Sequence, residues 1–174
     1  AACFSIYAYQ ALKKQLDGID ELRFIFTSPT FLQEKAPKTK REFYIPRLGR
    51  ERSLYGTEFE VKLRNEMTQK AIARECAEWI RKKVRFRSNL TSGSISSFMN
   101  VSGSEVTSYM PLQGFTTSDI GCERGNNIIN PVNKIYAPLS GEYVRMFNQV
   151  WNDKNLLEDV TDQVIDGITA AYAE

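Results

Sequence analysis

Between Phe59 and Lys83 apolar residues recur at helical spacing, and the stripe runs with no intervening glycine or proline into the alternating segment Val84-Arg85-Phe86-Arg87. Phe59, Leu63, Met67, Ala71, Cys76, Trp79 and Ile80 make the stripe, and Thr57 with Glu60 forms a capping box at its start. The same order, helix then strand, occurs once before. Ser5, Ile6, Tyr9, Leu12 and Leu16 read as an amphipathic helix capped by serine and ended near Gly18, and Glu21 to Thr27 alternates like a strand closed by Ser28-Pro29. Two such units predict an α/β fold.

Further along, Ile95 to Val101 and Glu105 to Leu112 read as a hairpin turning at Ser102-Gly103. Residues 113–139 are rich in Gly, Asn and Pro and read mostly as loop. Ser140 and Asn155 are expected to open two amphipathic helices, one carrying Tyr143, Phe147, Val150 and Trp151, the other Leu157, Val160, Val164, Ile168 and Ala171. Together they predict a C-terminal αα-hairpin over 140–174, following a domain that spans 1–139. Trp79 and Trp151 lie on apolar stripes and are expected in the core.

The chain has no histidine, which removes the usual general base at neutral pH and the commonest metal ligand. Cys3, Cys76 and Cys122 are an odd number without a close pair, which suits a reducing compartment better than a disulfide framework or a zinc site. There is no stretch of about 18 apolar residues to span a membrane and no basic segment leading into an apolar run at the start. A cytoplasmic protein is expected. An opening without methionine and an end inside a helical pattern read as a piece of something longer.

Charge is segregated although the net charge is only +2. Residues 35–87 hold 16 basic and 7 acidic side chains, whereas residues 88–174 hold 4 and 10. Such a distribution can steer a phosphate backbone toward one face; a solvated basic helix and loop would carry it equally. Within 31–56, a long loop without helical or strand period, cations interleave with aromatics: Lys35, Lys38, Lys40, Arg41, Phe43, Tyr44, Arg47, Arg50, Arg52 and Tyr55. Phosphate contact with base stacking needs this mixture. A loop docking on an acidic neighbour would look the same. Arg81, Lys82 and Lys83 extend the candidate nucleic-acid surface.

Several stretches carry a family resemblance: Phe4 to Leu12, Leu22 to Leu32, Arg41 to Arg64 and Gly121-Cys122-Glu123-Arg124-Gly125-Asn126-Asn127. They resemble the phospholipase-D-like N-terminal region of bacterial Swi/Snf-type DEAD/DEAH-box helicases, in the second helicase superfamily. The resemblance implies one half of a phospholipase D fold, a mixed β-sheet flanked by helices, with a helicase motor downstream that would bind ATP and magnesium, and DNA as partner. It also implies a lost active site. The catalytic pattern is His-x-Lys followed by Asp, then Gly-Ser-x-Asn, but the matching strand Ile95 to Val101 has neither His nor Lys, and Pro111-Leu112-Gln113-Gly114 replaces the second motif. Nucleophile and acid are both missing.

The expectation is therefore a non-catalytic accessory domain of a DNA helicase or translocase, with no cofactor or metal of its own and weak, salt-dependent DNA binding. The alternative is a scaffold that docks on the motor or dimerises without touching nucleic acid. A half-fold would leave an apolar face for a homodimer, with Ile95, Phe98, Met99, Phe115 and Ile120 as the interface. Cys122 in its glycine-flanked loop reads as a small buried thiol. Asp159, Asp162 and Asp166 read as a solvated helix face rather than a cation site.

Overall fold

A computed structural model describes residue 1 and residues 4–27, 58–112, 114–115, 119–120 and 131–172. The basic loop 31–56, Cys3, Thr57 and the segment 121–127 lie outside the described residues, and with them most of the candidate nucleic-acid surface. The elements run α1 (Ile6–Ala11), α2 (Lys13–Asp17), β1 (Leu22–Phe26), α3 (Glu58–Lys83), β2 (Val84–Asn89), β3 (Met99–Ser102), β4 (Val106–Met110), β5 (Asn133–Ile135), α4 (Ser140–Trp151), β6 (Leu157–Asp159) and α5 (Thr161–Tyr172). The fold is mixed α/β, with two three-stranded sheets flanked by helices.

In the first sheet β2 is central, with β1 parallel on one side and β6 antiparallel on the other. Because side chains alternate across a strand, the register Leu22↔Val84, Phe24↔Phe86 and Phe26↔Ser88 brings the phenylalanines to one face. Phe4 completes their cluster, edge-on to Phe24 and Phe86 at 5.9 and 5.2 Å between ring centroids and stacked on Phe115 at 5.6 Å. Helices α1, α3 and α5 cover this face: Tyr9, Ile72, Cys76, Ile80, Val164 and Ile168 are all buried in the same core. The free edge of β1 is also covered. Ala1 donates to Ile25 O and accepts from Thr27 N, while Phe4 bridges to Phe115 in parallel, with Ser5 N donating to Phe115 O at 2.9 Å.

Local chemistry sets the element ends. Ser5 Oγ accepts from Tyr7 N at 3.1 Å and caps α1 as expected. The predicted single first helix is broken at Leu12 into α1 and α2. Lys83, at the end of α3, donates to the carbonyls of Asp17 and Ile19, so it neutralises the open C-terminal end of α2. Trp79 reaches the same place: its indole N–H donates to Leu16 O at 3.1 Å, and its ring stacks on Tyr9 at 4.9 Å. At the end of β2, the buried Asn89 amide donates to Thr27 O just beyond β1 and to Gly93 O and accepts from Thr91 N and Oγ1, so it ties the following turn to the end of β1.

Three expectations are corrected. The C-terminal helices do not form an αα-hairpin. The segment read as the first turn of the last helix is β6, which joins the first sheet, and α5 begins only at Thr161, whose amide is held by the Asp159 carboxylate at 3.0 Å. Leu157 and Val160 fit a helical step but are buried as strand and linker. The loop 113–139 contains a strand, β5, paired with β4. The hairpin is present as β3 and β4 turning at residues 103–105, but its first strand starts at Met99, because Ile95 turns inward toward Ile25, Trp151 and Leu157.

Burial in this core has a titratable consequence. Burial, aided by Asp17, Cys76 and Glu75, pushes the Tyr9 hydroxyl up from 10.0 to about 12, and burial pushes the Cys76 thiol up as well. Both groups therefore hold their protons more tightly folded than unfolded. Their stabilisation is complete below the unfolded pKa and is lost as pH rises through the folded one. Denaturant midpoints should fall from about pH 8.5, where unfolded thiols ionise, and more steeply above pH 10. The tyrosine part amounts to at most about 2 kcal/mol by pH 12, less where solvent screens the hydroxyl. Tyr9→Phe should remove the steeper part and leave the thiol part; an unchanged alkaline slope would show that Tyr9 is not the group responsible.

Candidate functional site

The alternation that turns Phe24 and Phe86 into the core turns Arg23, Arg85 and Arg87 to the opposite face. Arg23 and Arg85 are direct register partners on parallel strands, and Arg87 stands two residues further along, opposite Ile25. Arg23 and Arg85 are exposed and Arg87 is half-buried. Helix α4 supplies the floor beside them. Trp151, buried, stacks on Phe147 at 5.7 Å, and the Arg87 guanidinium lies 4.2 Å from the Trp151 ring centroid while donating to the Trp151 carbonyl. Arg23 approaches the same ring at 5.9 Å. Ile25, Leu157 and Ile95 pack around the tryptophan.

Two carboxylates bear on this row. Glu21 pairs with Arg23 at 3.0 Å, and Asp159 is the register partner of Arg87 but spends one oxygen on the Thr161 amide. Arg85 has no ion pair or side-chain hydrogen bond among the described residues. Like charges placed directly opposite each other on neighbouring strands destabilise a sheet, and guanidinium groups are built to grip carboxylate or phosphate through a planar fork. A row of three, one of them fixed on an aromatic ring, can receive an oxyanion between Arg23 and Arg85. The sequence shows these residues as the polar half of two alternating strands. The parallel register that places Arg23 beside Arg85 is not visible in it.

Of the expected cations, the described residues include only those at the end of α3. Arg81 is paired with Glu78 at 2.6 Å, Lys83 is committed to the α2 carbonyls, and Lys82 is exposed. Lys83 thus acts structurally. The expected interface residues are also placed elsewhere than expected. Phe115 is buried on Phe4, Ile120 packs against the main core, and Ile95 against the Trp151 cluster. Phe98 packs edge-on to Tyr143 at 5.6 Å, and Met99 is half-buried in β3. The large exposed apolar side chains among the described residues are instead Val101, Tyr136, Leu139 and Met146.

The strand expected to replace a catalytic one carries Asn100, whose amide donates to Tyr143 O and accepts from Ser108 Oγ, a link that holds α4 on the hairpin. Asp159, Asp162 and Asp166 are exposed, and among the described residues no group of His, Cys, Asp or Glu is arranged to hold a metal ion. No helix among them is long and apolar enough to cross a membrane. Comparison with protein-family models, curated proteins and solved structures finds no match to this chain.

Relieving the like-charge pair should strengthen the fold. Arg85→Gln keeps most of the side-chain stem and removes the charge, so it should raise unfolding stability by roughly 0.2–1 kcal/mol at low ionic strength. The gain should vanish near 1 M salt, where the screening length is about 3 Å. Equilibrium denaturation at two salt concentrations reads this directly; a loss of stability at low salt would mean that Arg85 is paired in solution.

Proposed function

We propose that this chain is a non-catalytic DNA-binding module of a helicase or translocase, a degenerate half of a phospholipase-D-like fold working in the cytoplasm beside an ATP-driven motor. The observation that carries the reading is the row Arg23, Arg85 and Arg87 on the outer face of β1 and β2, where two like charges face each other with one carboxylate partner between them. A phosphate backbone laid across that row supplies the missing negative charge. The basic segment 35–52 lies in sequence between β1 and α3 and adds Lys35, Lys38, Lys40, Arg41, Arg47, Arg50 and Arg52 to the supply of cations.

Lack of histidine and the structural employment of Asn100 and Ser108 support a binding role over hydrolysis. The competing reading is a scaffold that docks on the motor or on a second copy without nucleic acid; it draws its support from the exposed Leu139 and Met146 on and beside α4.

Fluorescence anisotropy with duplex DNA across a salt series separates the two. Each phosphate neutralised releases condensed counterions, so the logarithm of affinity should fall linearly with the logarithm of salt concentration, and each cation lost should reduce the slope by about 1. Arg23→Gln with Arg85→Gln should flatten the slope by about 2, and Lys38, Lys40, Arg41 and Arg50 to Ala should flatten it further. Absence of binding at low salt, or a slope untouched by both sets, would favour the scaffold.

A further inference from the structure

The second sheet has one face under α4 and one face open. Ser108 is buried on the covered side, where Ser140 Oγ donates to Val106 O at 2.7 Å and Asn100 donates to Tyr143 O at 3.1 Å. The register Met99↔Tyr109, Val101↔Thr107 and Tyr109↔Lys134 assigns those five residues to the other side. There Val101 is 49% and Tyr136 63% exposed, although both are large apolar or aromatic side chains. Lys134 Nζ lies 5.9 Å from the Tyr109 ring centroid and 5.4 Å from that of Tyr136, so the two rings flank one ammonium group. Lys134 makes no ion pair among the described residues.

Tyr109 stands in β4, and Tyr136 directly follows the last residue of β5, two residues beyond the partner of Tyr109. Two rings that already flank one ammonium group offer faces on which a base can stack, and Lys134 can swing from the rings to the adjoining phosphate.

We propose that the open face of β3, β4 and β5 binds single-stranded nucleic acid, with a base held by Tyr109 and Tyr136 and its phosphate by Lys134. This deepens the DNA-binding reading by giving the unpaired strand a surface in addition to the arginine row that both forms share. Bases in a duplex are stacked on one another and cannot enter such a slot, whereas a phosphate row is shared by both forms.

The test compares oligo(dT) with a duplex of equal length, by anisotropy, for wild type, Tyr136→Ala, Tyr136→Phe and Arg85→Gln. Loss of one stacking platform should weaken oligo(dT) binding on the order of tenfold. Duplex binding should be unchanged, and Tyr136→Phe, which keeps the ring, should restore the single-strand affinity. Arg85→Gln should weaken both ligands. If Tyr136→Ala binds oligo(dT) like wild type while Arg85→Gln weakens both, the slot is overturned and the DNA-binding reading stands. If no variant or wild type binds either ligand, both are overturned. A dimer seen by sedimentation that Tyr136→Ala dissociates, with single-strand affinity unaltered, would make this face a protein interface and overturn the slot.

Discussion

Phe4 touches three phenylalanine rings that come from distant parts of the chain: Phe24 in β1, Phe86 in β2 and Phe115 beyond the hairpin. Edge-to-face and stacked pairs of this kind add about 0.5–1.5 kcal/mol each beyond the area they bury. Their larger effect is to specify register. With Phe24 and Phe86 required on the helix-covered side, a slip of one residue in either strand would turn arginines into the core. The residues between them then have no choice of face. Arg23, Arg85 and Arg87 are displayed because Phe24 and Phe86 are buried, and the repulsion between Arg23 and Arg85 is tolerated because the aromatic face outweighs it.

Much of the first sheet is legible in the sequence for the same reason. Alternation in Leu22 to Phe26 and Val84 to Arg87 is strict, the stripe ending at Ile80 is long, and the serine cap at Ser5 is local chemistry. The elements that escape are those that only tertiary contact defines. Leu157-Glu158-Asp159 has one buried side chain and a spacing that also suits a helix, and its pairing with Arg87 to Asn89 makes it a strand. Asn133-Lys134-Ile135 has no strand character until Tyr109 and Ser108 lie beside it. Ser140 looks like a helix cap, but its hydroxyl donates to Val106 O across 34 residues.

The candidate site divides along the same line. Lys82 and the arginines are visible as charges, yet which cations are free depends on geometry: Lys83 and Arg81 are occupied within the fold, and Arg85 is not. The apolar residues expected on an exposed face sit largely in the protein's own cores, because the segment from Ile95 to Phe98 folds toward Trp151 and Tyr143. Aromatic exposure has moved to Tyr136, which reads as an unremarkable loop residue before β5 is known.

In the function proposed above, one sheet uses its phenylalanine face to hold the fold and its arginine face to meet phosphate. Arginine-selective chemical labelling read by mass spectrometry, with and without DNA at low salt, tests it residue by residue. Arg23 and Arg85 should label readily in the free protein and be shielded by DNA, while Arg145, paired with Glu142 on α4, should label equally in both. Labelling of Arg23 and Arg85 that DNA leaves unchanged, with DNA demonstrably bound, would contradict the claim.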